Sequence, residues 1–186
     1  MKPGARALGV AESYRGDRST LCGAVVRADR VLDGLSFRTC TVGGTDATDA
    51  VGRLFDALDR EDVQYVLLGA VAPAWYNLYD LEALYDRVDR PVLAVTFEES
   101  DGLERALREA FSGEALADRL ERYRRLPPRR PVAVGEGTVY LRTVGIDDDA
   151  AAETIRAFTP EGRRPEPIRV ARLAARSGDA FRRRGR

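Results

Sequence analysis

Histidine is missing from the chain, and that absence removes whole classes of chemistry. Neither a Ser-His-Asp nor a Cys-His nucleophile can be assembled, and no histidine-containing zinc site exists. Cys22 and Cys40 are the only cysteines. They are too few for an all-cysteine zinc site and do not stand in a CxxC spacing. Each sits in an apolar, strand-like run, so buried free thiols are the expectation and a disulfide is the alternative. No apolar run approaches the roughly 18 residues of a membrane span, and Arg6 interrupts a short N-terminus of small residues, so no signal segment is visible. A cytoplasmic protein with no membrane partner is expected. Lysine is nearly absent as well: Lys2 is the only one. Arginine carries the remaining positive charge, a bias that base composition explains as readily as phosphate recognition. With 30 basic and 30 acidic residues the formal net charge is 0. Any contact with nucleic acid must therefore use a local patch rather than the bulk field.

What is present describes an ordinary globular chain, 186 residues long with 44% hydrophobic and 32% charged residues. That length supports one domain with a real core, and no composition break argues for two. The domain is expected to span 1–186, with a flexible tail from about 178, because Phe181 to Arg186 carries four arginines.

The central stretch is Ala7-Leu8-Gly9-Val10-Ala11-Glu12-Ser13-Tyr14. Small and β-branched residues lead into an acid and then into the polar run from Ser13 to Ser19, which reads as a first strand delivering a carboxylate at its end. Leu21 to Val26 suits a second strand and Val31 to Val42 a third. The short connections between them imply an antiparallel meander. Gly43-Gly44 breaks it, and Thr45 or Asp46 can cap a helix over about Asp46 to Arg60, whose Val51, Leu54, Phe55 and Leu58 form one apolar stripe. For Asp46 and Asp49, capping and dipole stabilisation compete with a role in a site. No Gly-Lys-Ser/Thr follows the glycine pair, so a P-loop is excluded.

Val63 to Leu68 is nearly continuous in apolar character, as in a strand covered on both faces. A loop follows, Gly69 to Asn77, with the only tryptophan, Trp75. Leu78, Leu81, Leu84, Tyr85 and Val88 give a second helix, and Pro91 to Phe97 a fifth strand. Helices over Gly102 to Phe111 and Ala115 to Leu126 end at the stiff connector Pro127-Pro128-Arg129-Arg130-Pro131. Thr138 to Ile146 is a sixth strand, Asp147 to Phe158 a helix, and Ile168 to about Arg176 the last helix. The fold class is therefore α/β: a mixed sheet, with an antiparallel three-strand meander followed by βαβ units, helices on both faces and a C-terminal strand-helix extension. This is the connectivity of the ribonuclease H-like nucleases. In that fold carboxylates from the first and fourth strands meet around divalent ions, which take oxygen ligands and need no histidine.

Five collinear stretches carry a more specific resemblance: Leu8 to Glu12; Val42 to Thr48; Val66 to Gly69 with Trp75 to Leu81; Gly145-Ile146 with the helix after it; and Pro165 to Ala171. On these the chain resembles, nearly end to end, the archaeal family described as domain of unknown function number ninety-nine, related to endonuclease V and also called endonuclease dU. The resemblance implies a hydrolase of DNA repair, an endonuclease cutting near deoxyuridine or deoxyinosine with Mg2+ or Mn2+. Position by position, the family's first-strand acid pair falls on Ala11 and Glu12, and the acid closing the fourth strand falls on Gly69. Asp46 matches the Asp of the glycine-rich loop, and Asn77 and Asp80 match the Asn and Asp of the next helix start. The wedge of endonuclease V has no counterpart in Thr41 to Thr45.

The implied catalytic residues are Glu12, Asp46 and Asp80, with Glu12 and Asp46 as metal ligands. Ala11 and Gly69 remove expected acids, so the expectation divides. One branch is a weakened metal-dependent endonuclease, and the other an inactive relative that still binds DNA or RNA. The binding surface would combine Trp75 and Tyr76, stacking on an unpaired base, with Asn77 and with Arg169 and Arg172 on phosphates. Packing of the aromatics and solvation of a helix face by the arginines is the competing reading.

Overall fold

The computed structural model describes residues 1–184. Its seven-stranded sheet has the order β3-β2-β1-β4-β5-β7-β6. β1 (Arg6–Tyr14), β2 (Arg18–Arg27) and β3 (Leu32–Thr41) form the antiparallel meander. β4 (Tyr65–Leu68) pairs parallel to β1, and β5 (Val92–Thr96) parallel to β4. α1 (Ala47–Leu58) connects β3 to β4, and α3 (Leu81–Val88) connects β4 to β5. β7 (Gly137–Val144) closes antiparallel on β5.

β1 is central because it can be buried on both sides. Leu8 and Val10 join Leu54 of α1 and Leu84 of α3 on one face. Ala7 joins Ile155 of α6 (Asp148–Ala157) and Ile168 of α7 (Glu166–Arg184) on the other. Gly9 lets α7 approach closely, since a Cβ there would overlap the Pro167 carbonyl. The start of the last helix therefore lies directly on the central strand.

The two cysteines are free and buried. Cys40 belongs to the α1 side, whereas Cys22 alternates with Ala24 and Val26 on the α7 side, so the sheet separates them. Burial pushes each thiol up to about 12.

Two expectations are corrected. The connector at Pro131 is continuous with a strand, β6 (Arg130–Val134), paired to β7. β6 is the sheet edge, where a proline costs no ladder hydrogen bond on its open side. The last helix runs to Arg184 rather than ending near Arg176, and residues 185–186 lie outside the described residues. What extends it is Asp179, 2% exposed and paired to Arg182 and Arg183 at 3.0 and 3.3 Å. Arg182 also donates to Thr20 Oγ1 and the Arg18 carbonyl, both at 3.2 Å, tying the helix end to β2. α4 (Glu104–Ala110) and α5 (Gly113–Arg125) lie between β5 and β6 and pack Leu107 and Leu120 on Leu78 in a small separate cluster. No helix among the described residues is long and apolar enough to cross a membrane.

Candidate nucleic-acid interface

The ends of β1 and β4 are where the topology gathers side chains from distant segments. Gly69 N donates to the Val10 carbonyl at 2.9 Å, and a Cβ built on Gly69 would lie 3.8 Å from Ala11 Cβ. The two positions at which the resemblance expected acids are thus neighbours in space. The same Cβ would lie 2.9 Å from Ile168 Cγ2, and Ile168 is fully buried. A hydrophobic side chain from α7 fills the place beside the absent carboxylate.

Glu12 points away from this place. It alternates with Ala11 and shares the α1 face with Val10 and Leu21, its partner on β2. Its Oε2 accepts from Ser19 Oγ at 2.7 Å. Asp46 lies at the start of α1 but does not cap it. Its carboxylate turns back to accept from Thr41 N at 3.0 and 3.2 Å, Thr41 Oγ1 at 3.0 Å and Asn77 Nδ2 at 2.7 Å. Burial pushes this carboxyl up, but the Thr41 N–H, the Asn77 amide and the Thr41 hydroxyl outweigh it and hold Asp46 below the ordinary carboxylate range. Asn77, fully buried, caps α1 from thirty residues away: its Oδ1 accepts from Ala47 N at 3.0 Å and its Nδ2 also donates to the Thr41 carbonyl at 2.8 Å. Asp80 caps α3 through Ala83 N at 3.0 Å.

Glu12, Asp46 and Asp80 therefore do not gather. Among the described residues no three His, Cys, Asp or Glu side chains are grouped so as to hold a metal ion. The residues present do not fit the divalent site of the fold. A hard cation needs several converging oxygens, whereas the strand-end positions carry Ala11 and Gly69 against Ile168, and the Asp46 oxygens already accept from Thr41 and Asn77.

Asn77 cannot meet a nucleic acid as expected, since its side chain is buried and spent on the backbone. Arg169 makes a bidentate pair with Glu166 at 2.6 Å. Trp75 and Tyr76 do reach the surface region. They lie on α2 (Pro73–Tyr76), a single turn in which Ala74, Trp75 and Tyr76 all have positive φ, at 47°, 55° and 62°. Three consecutive left-handed residues, none of them glycine, cost about 1 kcal/mol each or more. The turn is held by bonds from Gly43 N to the Ala74 carbonyl at 2.7 Å and from Asn77 N to the Pro73 carbonyl at 2.9 Å. Trp75 ends up 45% exposed, its ring 5.8 Å from Tyr76 and 5.0 Å from Phe111. Bare Gly43 makes room for it, as a Cβ there would lie 2.8 Å from Trp75 Cε3. Arg119 braces the assembly from below: it stacks on Phe111 at 3.9 Å and donates to the carbonyls of Gly43 and Gly44.

Sequence reasoning missed a second feature. Arg129, Arg142 and Arg164 converge with Arg172 on a cavity of about 410 Å3 that Gly69 and Ala70 also line. The available signal was the pair of arginine doublets beside prolines, Arg129-Arg130 and Arg163-Arg164. Sequence alone could not say which member turns inward: Arg130 pairs with Asp148 at 2.9 Å, while Arg129 lines the cavity.

The mixed seven-stranded sheet, with the first and fourth strands ending together, is a fold shared with solved endonuclease V structures. The family model described as endonuclease dU matches residues 3–178, and the chain belongs to that family. A UPF0215 protein of Pyrobaculum calidifontis is 37% identical over 172 residues, 90% of this chain and 93% of that one. A protein of unknown function from Archaeoglobus fulgidus has a crystal structure similar to this one, with a TM-score of 0.83 at 22% identity, covering 93% and 97% of the two chains. Ciona intestinalis endonuclease V, solved with a 24mer DNA containing an inosine followed by a ribo-adenosine, has a TM-score of 0.62 at 12% identity, covering 94% and 85%.

Proposed function

We propose that the protein is a nucleic-acid-binding member of the endonuclease dU family that engages an unpaired or lesion-bearing nucleotide of DNA by stacking it on Trp75. The single observation that carries this reading is the left-handed turn of α2, which holds a half-exposed tryptophan at the surface at a cost in backbone strain. Packing alone would not need it, because a core tryptophan is served equally well by relaxed backbone. An aromatic face against an unpaired base contributes about 1–3 kcal/mol and tolerates any base. The fold shared with DNA-bound Ciona endonuclease V supports the choice of ligand.

A second reading, the deoxyuridine- or deoxyinosine-directed, metal-dependent endonuclease, is favoured by the family match over residues 3–178. Against it stand the occupied strand ends, so no cleavage step is derived through a metal. One experiment separates the two. Labelled single strands and duplexes carrying one deoxyuridine, one deoxyinosine or neither are titrated with protein in EDTA, then incubated with Mg2+ or Mn2+ and run on denaturing gels. Binding that survives chelation and weakens about tenfold or more in Trp75→Ala is the expected result. Unchanged affinity in Trp75→Ala would sink the stacking role. Lesion-dependent nicking lost in Glu12→Ala would establish the endonuclease instead. The same titration with RNA decides between the two nucleic acids.

A further inference from the structure

The arginine cavity differs from the arginine clusters that are paired with acids. At those clusters the guanidinium is neutralised at close range, as in Arg60 with Asp33 and Asp62 at 2.9 and 2.8 Å, or Arg87 with Asp49 and Asp56 at 2.7 and 2.6 Å. Among the described residues, none of Arg129, Arg142, Arg164 and Arg172 has a carboxylate within 4.0 Å. Glu98 is the single acid in the lining, and it takes part in no ion pair.

The cluster is held in place by neutral groups. Arg129 lies 3.9 Å over the Tyr140 ring and donates to Thr96 Oγ1 and to the carbonyls of Ser100 and Glu98. Arg142 lies 5.4 Å over the Tyr123 ring and donates to the Pro127 carbonyl. Arg164 lies 4.1 Å over Phe97. Stacking of this kind orients a guanidinium without cancelling its charge. The side chains of Arg164 and Arg172 make no hydrogen bond to any described residue, so their N–H forks are free. Burial pushes the Arg164 guanidinium below its ordinary value, and the charges of Arg172, Arg163 and Arg176 push it the same way. A folded protein that crowds like charges, orients them on rings and gives them no acid is short of an anion at that place.

We propose that this cavity is a phosphate-binding subsite, in which Arg164 and Arg172 grip a phosphate ester and Arg129 and Arg142 supply flanking positive charge. The location gives the inference its force. Gly69 lines the cavity, at the strand end where the resemblance expected a carboxylate and Ile168 packs instead. The strand ends thus meet a phosphate through guanidinium forks, which match its oxygens bidentately. The subsite rests on the nucleic-acid reading for the source of the phosphate, not for its own existence.

The test uses the full chain and three probes: inorganic phosphate, thymidine 5′-monophosphate, and a labelled single-stranded oligothymidylate. Calorimetry measures the first two, and fluorescence anisotropy follows the third across a salt series. Arg164→Gln/Arg172→Gln is compared with wild type, with Arg172→Gln alone as the variant safest for folding because that side chain is exposed. Arg169→Gln, whose arginine is already paired, is the control. The expected result is millimolar or tighter binding of phosphate and mononucleotide, weakened at least tenfold in the double variant and unchanged in the control. The salt slope for the oligonucleotide should become shallower by about 1.4, two contacts' worth on a single strand.

Oligonucleotide binding with wild-type salt dependence in both glutamine variants, and no phosphate binding by wild type, would overturn the subsite and leave the stacking reading standing. Loss of phosphate and mononucleotide binding in the variants, with no oligonucleotide bound even by wild type, would uphold the subsite for a free phosphate ester and overturn the nucleic-acid reading.

Discussion

The loop between β3 and α1 and the cavity at the end of β4 lie on the same domain, and their ionisable groups are treated in opposite ways. At the first, the acid is satisfied: Asp46 accepts from Thr41 and Asn77, and Asn77 spends its remaining capacity on the backbone of α1. At the second, the charges are left unpaired: four arginines surround a cavity and none meets a carboxylate. A polar group whose hydrogen bonds are complete is holding the fold together. One that is oriented and left unsatisfied is available to a ligand. By that criterion Asp46 serves the architecture, and the arginines are the charges left available to the proposed phosphate.

The contrast breaks most visibly at Asn77. Asn77→Ala strands the Ala47 N–H, the Thr41 carbonyl and one oxygen of Asp46 in a buried setting, so a loss of about 2–4 kcal/mol in urea unfolding is expected. A loss under about 0.5 kcal/mol would mean that water or Asp46 replaces those bonds. Restoring an acid should come next in size. Gly69→Asp must displace Ile168, and overpacking of this sort costs about 1–3 kcal/mol. Pairing it with Ile168→Ala should relieve the overlap. Tighter Mn2+ binding by calorimetry in the single Gly69→Asp variant would show that the filled strand end was misjudged.

A smaller effect is expected in the pH dependence of stability. Asp46 is held below the carboxylate range in the folded state, so its contribution is fully present above its unfolded value, about 3.9. That contribution is lost as pH falls through the depressed folded value. Wild type should therefore lose stability faster than Asp46→Asn on acidification below about pH 4, and parallel curves would remove Asp46 from the network. The least effect is expected for Arg169→Ala. Its exposed pair with Glu166 should be worth less than about 1 kcal/mol, and oligonucleotide affinity should not change. A marked drop in affinity would extend the phosphate surface along α7.

The elements were legible wherever periodicity was clean. β1 to β5 and α1 and α3 follow apolar patterns of two or of three and four, and helical segments separate the strands from β3 to β5. β6 was obscured because Pro131 disqualifies a central strand but not an edge strand, and only the sheet order tells which it is. The helical span beyond Arg176 was obscured by an arginine-rich sequence. Nothing local reveals that Asp179 is buried against Thr20 and anchors Arg182. Trp75 was legible as the one tryptophan in a loop, but its left-handed backbone was not, since Ala, Trp and Tyr have no preference for that region.

The sequence by itself determined the chemistry that is excluded. Without histidine, neither a Ser-His-Asp nor a Cys-His nucleophile nor a histidine-containing zinc site was open to the chain. It also determined the connectivity, because hydrophobic spacing is a local property. Tertiary structure alone decided which charges are spent and which are free. A carboxylate or guanidinium is paired by whatever the fold brings within about 4 Å. For Asp46 that is Asn77, thirty-one residues on. For Arg164 it is the ring of Phe97, 4.1 Å away across sixty-seven residues of sequence, and no acid among the described residues.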